Sequence, residues 1–439
     1  VSKFSIPKND KGFIRAWIWF DWANSVFQLS ITSAIFPAYF VAVTSLYTSG
    51  YIHFFGFEVI NTSLYAWAIS ASFLTVAVLS PLLSAMADYS GRRKLYMKIF
   101  TYIGAAGVAL MSLFDGSNVE LGIISFYLAG VGYSGSLVFY NSFLPVIASS
   151  DLQDRVSARG YAFGYLGGIV MLLINLMLIL NYEMFGFSNS GQAIRLNFIL
   201  VAIWWIGFAQ ITFIKFPKYI FVNRKLKKPI REAYAELNNV WKEFAHIPRL
   251  KRYLMSFFFI SMGVLTVMYM AANYGKKELQ LDDHILIPTI LIIQLVGVIG
   301  SFVFARLSER QGNIPILMLI VWIWISICIG AWFVKDAKGF MILAFFVGLV
   351  MGGVQSLCRS TFSKMLPETK DHTSYFSFYD VVEKLSAVLG TFIFGIIESI
   401  THSMRDAIVS LALFFLIGFA GLVYTSMKIG NRFILNKNE

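Results

Sequence analysis

Apolar residues run through the chain in long stretches, each closed by a short polar cluster. A helix crossing the hydrocarbon core of a bilayer needs about 20 mostly apolar residues. The stretches predict twelve membrane helices, at roughly 17–44, 64–87, 95–114, 121–147, 160–181, 194–216, 253–273, 285–307, 315–334, 340–358, 375–399 and 406–427. The longest polar stretch, 217–252, lies in the middle and separates an N-terminal bundle (1–216) from a C-terminal bundle (253–439). Within it Pro229 suits a first helical turn. Ile230, Ala233, Tyr234, Leu237, Val240, Trp241 and Phe244 then recur at helical spacing, with Lys and Glu on the other face. That pattern predicts an amphipathic helix on the cytoplasmic membrane surface, with a solvated linker helix as the alternative.

Composition agrees with the pattern. The 439 residues are 57% hydrophobic and 14% charged, with mean hydropathy +0.68, whereas soluble domains run about 45–50% apolar and about 25% charged. Lipid must therefore cover the excess, and aromatic residues at 17% of the chain suit lipid-facing and interfacial positions. A net charge of +12 would point to nucleic acid in a soluble protein. Here the basic residues cluster in short loops, so no nucleic-acid partner is expected. Of the 36 Lys and Arg, only Arg195, Lys276, Lys277, Lys335, Lys338 and Arg405 fall on one face and Lys384 within a span; the rest lie at the termini and in the loops of the other face. This bias predicts both termini in the cytoplasm and hence an even number of spans. Cys328 and Cys358 lie in or beside apolar segments and the five histidines are scattered, so neither a metal nor a cofactor is expected. The polar, basic stretch through Arg15 and the long first span give no reading of a cleavable signal.

The two halves share features in register. The loop after the second span reads SAMADYSGRRK and that after the eighth ARLSERQGNIP, with Asp88 and Glu309 each three residues before a glycine. Phe143-Leu144-Pro145 and Met365-Leu366-Pro367 precede the loops after the fourth and tenth spans. Two pairs in register argue for a duplicated six-helix unit, an arrangement that places binding near the midplane.

SAMADYSGRRK resembles the loop signature of the major facilitator superfamily through Asp88, Gly91, Arg92 and Arg93, with Ser84 and Tyr89 departing from it; the second copy keeps Glu309, Arg310 and Gly312. FDWANSVFQLSITSAIFPAYF (Phe20–Phe40), YNSFLP (Tyr140–Pro145), the segment Arg155–Gly168, QSLCRSTFSKMLP (Gln355–Pro367) and FSFYDVVEKLSAVLG (Phe376–Gly390) resemble the branch related to the vacuolar effluxers of autophagy, over nearly the whole chain. The resemblance implies the all-α, two-bundle transporter fold and movement of amino acids or similar solutes.

Ionisable groups inside a membrane are costly and usually face a cavity or a partner. Asp21, Asn24 and Gln28 share one face of the first span. They form either a cavity lining with Asp21 as a cation or proton site, or a cap at the cytoplasmic end. In the eleventh span Asp380, Glu383 and Lys384 form an i, i+3, i+4 cluster that either neutralises itself or leaves one acid to titrate during transport. Gln355 and Arg359 share a face of the tenth span; Arg359 either grips a substrate carboxylate or reaches to the interface. Tyr133, Tyr140, Asn141, Tyr161 and Tyr165 offer polar groups for a solute or for helix packing, and Gly164, Gly167 and Gly168 permit close helix approach. Asp88, at the end of a helix where a negative charge opposes the local dipole, needs a base such as Arg92 or Arg93, or the start of the eleventh helix near Tyr375. With Gly91, Glu309 and Arg310 these residues form the expected cytoplasmic latch.

Together these features predict a monomeric secondary transporter for a small polar solute such as an amino acid or peptide, working by alternating access and coupled to protons. The alternative is a membrane receptor or scaffold that keeps the fold without transport. No nucleophile, zinc pair or acid dyad supports an enzyme. The short loops fit a bacterial inner membrane. A vacuolar membrane is the other placement, and Asn61-Thr62-Ser63 is a candidate glycosylation acceptor on the non-cytoplasmic side.

Overall fold

A computed structural model describes residues 6–45, 51–218 and 229–427. Among them are thirteen long helices: α1 (Lys11–Ser45), α2 (Asn61–Ser90), α3 (Arg93–Leu113), α4 (Val119–Ile147), α5 (Gln153–Leu180), α6 (Ser190–Lys215), α7 (Pro229–Ala245), α8 (Pro248–Lys277), α9 (Asp283–Gln311), α10 (Asn313–Phe333), α11 (Ala337–Met365), α12 (His372–Thr401) and α13 (Met404–Met427). A two-stranded antiparallel hairpin, β1 (Tyr51–Phe54) and β2 (Phe57–Ile60), joins α1 to α2.

Among the described residues, eleven helices are long and apolar enough to cross a membrane. The twelfth expected span, α12, is 30 residues long but carries Asp380, Glu383, Lys384 and Glu398, and it does not join that set. The helix expected at 229–245 is α7, where Val240 is buried and Tyr234 and Trp241 are exposed; the side chains of Ile230, Ala233 and Phe244 lie outside the described residues. Several helices run past the apolar limits into polar sequence. α5 starts at Gln153 rather than near 160, and α11 continues to Met365. Polar residues at a helix end keep the backbone bonds intact while their side chains find partners in the loops, so apolar length underestimates helix length.

Local chemistry sets the ends. Asp10, Asn189 and Asp336 accept backbone N–H bonds from Phe13, Gln192 and Gly339 (2.9, 3.0 and 2.8 Å), as N-caps do. α2 stops at Gly91, whose left-handed backbone (φ 69°) lets its own N–H and that of Arg92 close on the carbonyls of Asp88 and Ala87.

The chain folds as two compact units. The first comprises Val1–Ile147 with Phe163–Tyr234; the second comprises Ala148–Ala162 with Ala235–Glu439. α5 thus gives its first turns to the second unit. In the first, Gly132 of α4 lies so close to Gly104 of α3 that a methyl group would collide with backbone. In the second, Gly352 of α11 meets Gly297 of α9 in the same way. Small residues that let backbones approach are how helices pack in lipid, where apolar burial adds no drive.

The candidate glycosylation site is corrected by the packing. Asn61 is only 3% exposed, and its Nδ2 donates to Thr44 Oγ1 (3.0 Å) and Ser45 Oγ (3.3 Å). That amide ties the end of α1 to the start of α2 and is not presented for modification.

Candidate functional site

In the first unit the polar face of α1 is buried. Asp21 Oδ2 accepts a 2.6 Å hydrogen bond from the Tyr140 hydroxyl of α4, and both residues are buried. The Tyr140 ring stacks on Trp17 (centroids 4.4 Å apart) and Phe20 (4.9 Å), while Trp17 Nε1 donates to the Tyr140 carbonyl (3.0 Å). Asn24, one turn on, is buried with Ser136 Oγ 3.5 Å from its Oδ1. Gln28 is half-buried and lies in a π-helical stretch, Phe27–Ile35, that interrupts α1. Such stretches often mark functional positions, and here one begins within the polar triad, between Asn24 and Gln28. Gly164 and Gly167 of α5 sit against Ser25 and the Trp22 carbonyl, so these glycines serve close packing onto α1. Asn141 is half-buried at the end of the main α4 helix, and Tyr165 is buried in the same unit.

At the turn between α2 and α3, Asp88 Oδ1 accepts from Arg93 Nε at 2.8 Å, with both side chains almost wholly buried. Of the two arginines offered by the loop, Arg93 makes this contact. Gly91 supplies the left-handed residue that turns the chain back, and Arg92 follows it at the N-cap of α3.

The second unit places its charges differently. On α12, Lys384 Nζ lies 3.4 Å from Asp380 Oδ1 and 3.3 Å from Glu383 Oε2. Asp380 is 3% exposed, and its other oxygen, Oδ2, is buried with no hydrogen-bond partner. Phe257 stacks on the neighbouring Tyr379 ring (4.2 Å) and Phe362 lies 5.0 Å from it. Arg359 is buried within α11. Its Nε donates to Ser157 Oγ (3.0 Å), its Nη2 to the Ser157 carbonyl (2.9 Å), and its guanidinium lies 4.2 Å over the Tyr161 ring. It therefore holds the start of α5. Gln355 is half-buried, with Nε2 3.5 Å from Met268 Sδ.

Glu309, the second copy of the loop acid, takes two bonds from Arg155, Nε to Oε1 at 3.0 Å and Nη2 to Oε2 at 2.8 Å, on the surface; Arg310 is exposed beside it. The buried acid in this region is Asp154, which the sequence reading did not single out. It accepts from Lys364 Nζ (2.5 Å), Asn313 Nδ2 (2.8 Å) and Ser308 Oγ (2.9 Å). In sequence it looks like an ordinary acid in a first helical turn; only its remote partners distinguish it. In the exposed loop before it, the Ser149 hydroxyl holds the Asp151 carboxyl below its usual range. Among the described residues no group of three or more His, Cys, Asp or Glu is placed to hold a metal ion.

Each unit thus buries an acid on the face of a long helix and a second acid at a helix end. Comparison with known proteins gives this arrangement its family. Residues 9–433 match the family described as vacuole effluxer Atg22 like. An uncharacterised MFS-type transporter of Bacillus subtilis strain 168, YxiO, is 28% identical over 412 residues, covering 93% of this chain and 94% of its own. Autophagy-related protein 22 of Saccharomyces cerevisiae is 25% identical over 433 residues, covering 84% of this chain and 79% of its own. Among solved structures, the major facilitator transporter FucP in its outward conformation has a TM-score of 0.70 at 14% identity, covering 94% of this chain and 98% of its own. The human organic anion transporter MFSD10 gives 0.67 at 12% identity, covering 94% and 98%. The chain belongs to the Atg22-like vacuole effluxer family and is a multi-pass membrane transporter with the major facilitator fold.

Proposed function

We propose that the protein moves a small polar solute, an amino acid or peptide, by alternating access and couples that movement to protons. The observation that carries this reading is the α12 cluster. Two carboxylates share one ammonium, and Asp380 keeps a buried oxygen with no hydrogen-bond partner. An intramembrane acid in that condition is suited to taking up a proton or a substrate ammonium. Asp21 with Tyr140, Asn24 and Gln28 is the corresponding polar face of the other bundle, with Asn141, Tyr165 and Gln355 as further lining candidates. Lys384 is the candidate for a substrate carboxylate, while Arg359 orients the start of α5.

In this reading residues 1–216 and 253–439 are the two moving bundles and 217–252 is the linker between them. Asp88, Gly91, Arg92 and Arg93, with Glu309 and Arg310, form the cytoplasmic gate. Both termini are cytoplasmic and the working unit is a monomer. The bacterial relative supports an inner membrane, and the family description supports efflux from a compartment.

The test is counterflow in proteoliposomes with labelled amino acids and dipeptides at two pH values, with Asp21→Asn and Lys384→Ala beside the wild type. Saturable, pH-dependent exchange lost in the variants is the expected result. Exchange independent of pH removes proton coupling, and an inert panel removes the amino-acid and peptide reading. Ligand binding without exchange points to a receptor.

A further inference from the structure

Three lysines of the first unit meet where α3 begins and α6 ends. Lys94 Nζ donates to the carbonyls of Phe213 (3.1 Å) and Phe216 (2.6 Å), so it caps the last turn of α6 from the neighbouring helix. Two of its three donors are thereby spent. Lys98 stands one turn further along α3, its Nζ 5.3 Å from the centre of the Tyr102 ring. Lys218 lies just past the end of α6 and is exposed. The charges of Lys98 and Lys218 both act on Lys94. Like charges at i and i+4 repel. Among the described residues neither Lys94 nor Lys98 pairs with a carboxylate. The ammonium groups thus gather without a counter-charge from the protein. Basic residues that only set membrane orientation need no common position. Here one is fixed in the seam between two helices and two others converge on it. Lys215 turns the other way, towards α1, with Nζ 4.9 Å from the centre of the Phe13 ring.

Below the lysines the seam between α3 and α6 is apolar and open. Ile99 and Ile103 of α3 and Ile206 and Ile214 of α6 are exposed. The Tyr102 hydroxyl accepts from Gln210 Nε2 (3.3 Å) and ties the two helices together. Gly207 is exposed, and nothing lies within 4 Å of the point where a side chain would begin, so the outer face of α6 is notched there. In a multi-pass membrane protein such a face is covered by acyl chains, and lysines at the helix ends reach the headgroups. Positive charge above an apolar seam complements an anionic phospholipid in both of its parts.

We propose that the seam between α3 and α6 binds an anionic phospholipid, with its phosphate held by Lys94, Lys98 and Lys218 and an acyl chain lying along Ile99, Ile206 and Ile214 into the notch at Gly207. The bound lipid would join the start of α3 to the end of α6 and neutralise the lysines that repel one another there.

Native mass spectrometry of the full chain in detergent, supplied with phosphatidylglycerol or phosphatidylcholine, tests this. The wild type should retain phosphatidylglycerol in preference to phosphatidylcholine, and equal retention overturns the proposal. A basic residue at a membrane surface strengthens binding of anionic lipid about fivefold, so Lys98→Gln and Lys218→Gln should each weaken retention of phosphatidylglycerol by about that factor. Neither substitution touches the carbonyls that Lys94 caps. Lys215→Gln should retain the lipid as the wild type does. A loss as large as that of Lys98→Gln would assign the attraction to the whole basic surface and overturn the site. Gly207→Phe fills the notch, leaves every charge in place and should also weaken retention; an unchanged value would remove the chain from the seam. Glycerol 3-phosphate carries the phosphate without the chain. If it displaces the lipid at equal concentration, the lysines form an anion site and the lipid proposal falls.

Discussion

The two copies of the repeated loop place similar acids in different surroundings. In the first, Asp88 and Arg93 pair within one turn, with almost no exposure. In the second, Glu309 reaches Arg155, whose side chain is 53% exposed. The buried ion pair of that region is assembled instead from Asp154, Lys364, Asn313 and Ser308, on four different helices. The same contrast separates the polar helix faces. Asp21 meets the hydroxyl of a tyrosine clamped between aromatic rings, whereas Asp380 meets an ammonium that it shares with Glu383. A duplicated sequence motif therefore does not fix where the electrostatic energy is stored. Burial and the number of remaining donors decide that.

The largest effect is expected where a buried charge loses a close partner. Arg93→Met removes the guanidinium beside the Asp88 carboxylate, a kind of change that costs about 3–5 kcal/mol. Thermal unfolding in detergent should show it as a large drop in midpoint. Adding Asp88→Asn should recover most of the loss. A single variant as stable as the wild type would mean that the first loop is as loosely held as the second, and the contrast would collapse.

Lys364→Met should cost less, about 1–3 kcal/mol, because Asp154 keeps its bonds from Asn313 and Ser308. Asp154→Ala should exceed it, since all three donors then lose their acceptor together. The reverse order would show that the ammonium alone holds the site.

Tyr140→Phe isolates a single hydrogen bond to a carboxylate, worth about 1.5–3 kcal/mol, while leaving the stack with Trp17 and Phe20 in place. Tyr140→Ala should lower stability further by removing the ring. If the two variants are equally stable, the stack contributes little and the hydroxyl carries the effect.

What could be read from the sequence followed from what is local. Apolar length along one helix is a one-dimensional property, so the spans stand near their expected places. The exception in kind is α12, whose charge cluster sets it apart from the other eleven long apolar helices. The Asp88 turn was legible because Gly91 and the two arginines lie within five residues of it. Asp154 was not, because its partners lie 154 to 210 residues away. Arg359 was placed on the right helix, but its commitment to Ser157, 202 residues away, follows only from packing. The hairpin escaped because its turn is Phe-Gly rather than Asn-Gly and its strands are four residues each. The Asn61 sequon misled because a triplet carries no information on burial.

The smallest effect should come from Arg155 and Glu309. Their two hydrogen bonds are well aligned, yet solvent screens an exposed pair, and ordering two long side chains costs entropy. A double-mutant cycle with Arg155→Ala and Glu309→Ala should give a coupling of about 0–1 kcal/mol, falling further in high salt as the Debye length shrinks. The Asp88–Arg93 coupling should be several times larger and nearly indifferent to salt, since water and ions do not reach it. A surface coupling that matched the buried one and resisted salt would mean that the second loop is enclosed in the working protein, and that the two copies carry the same load.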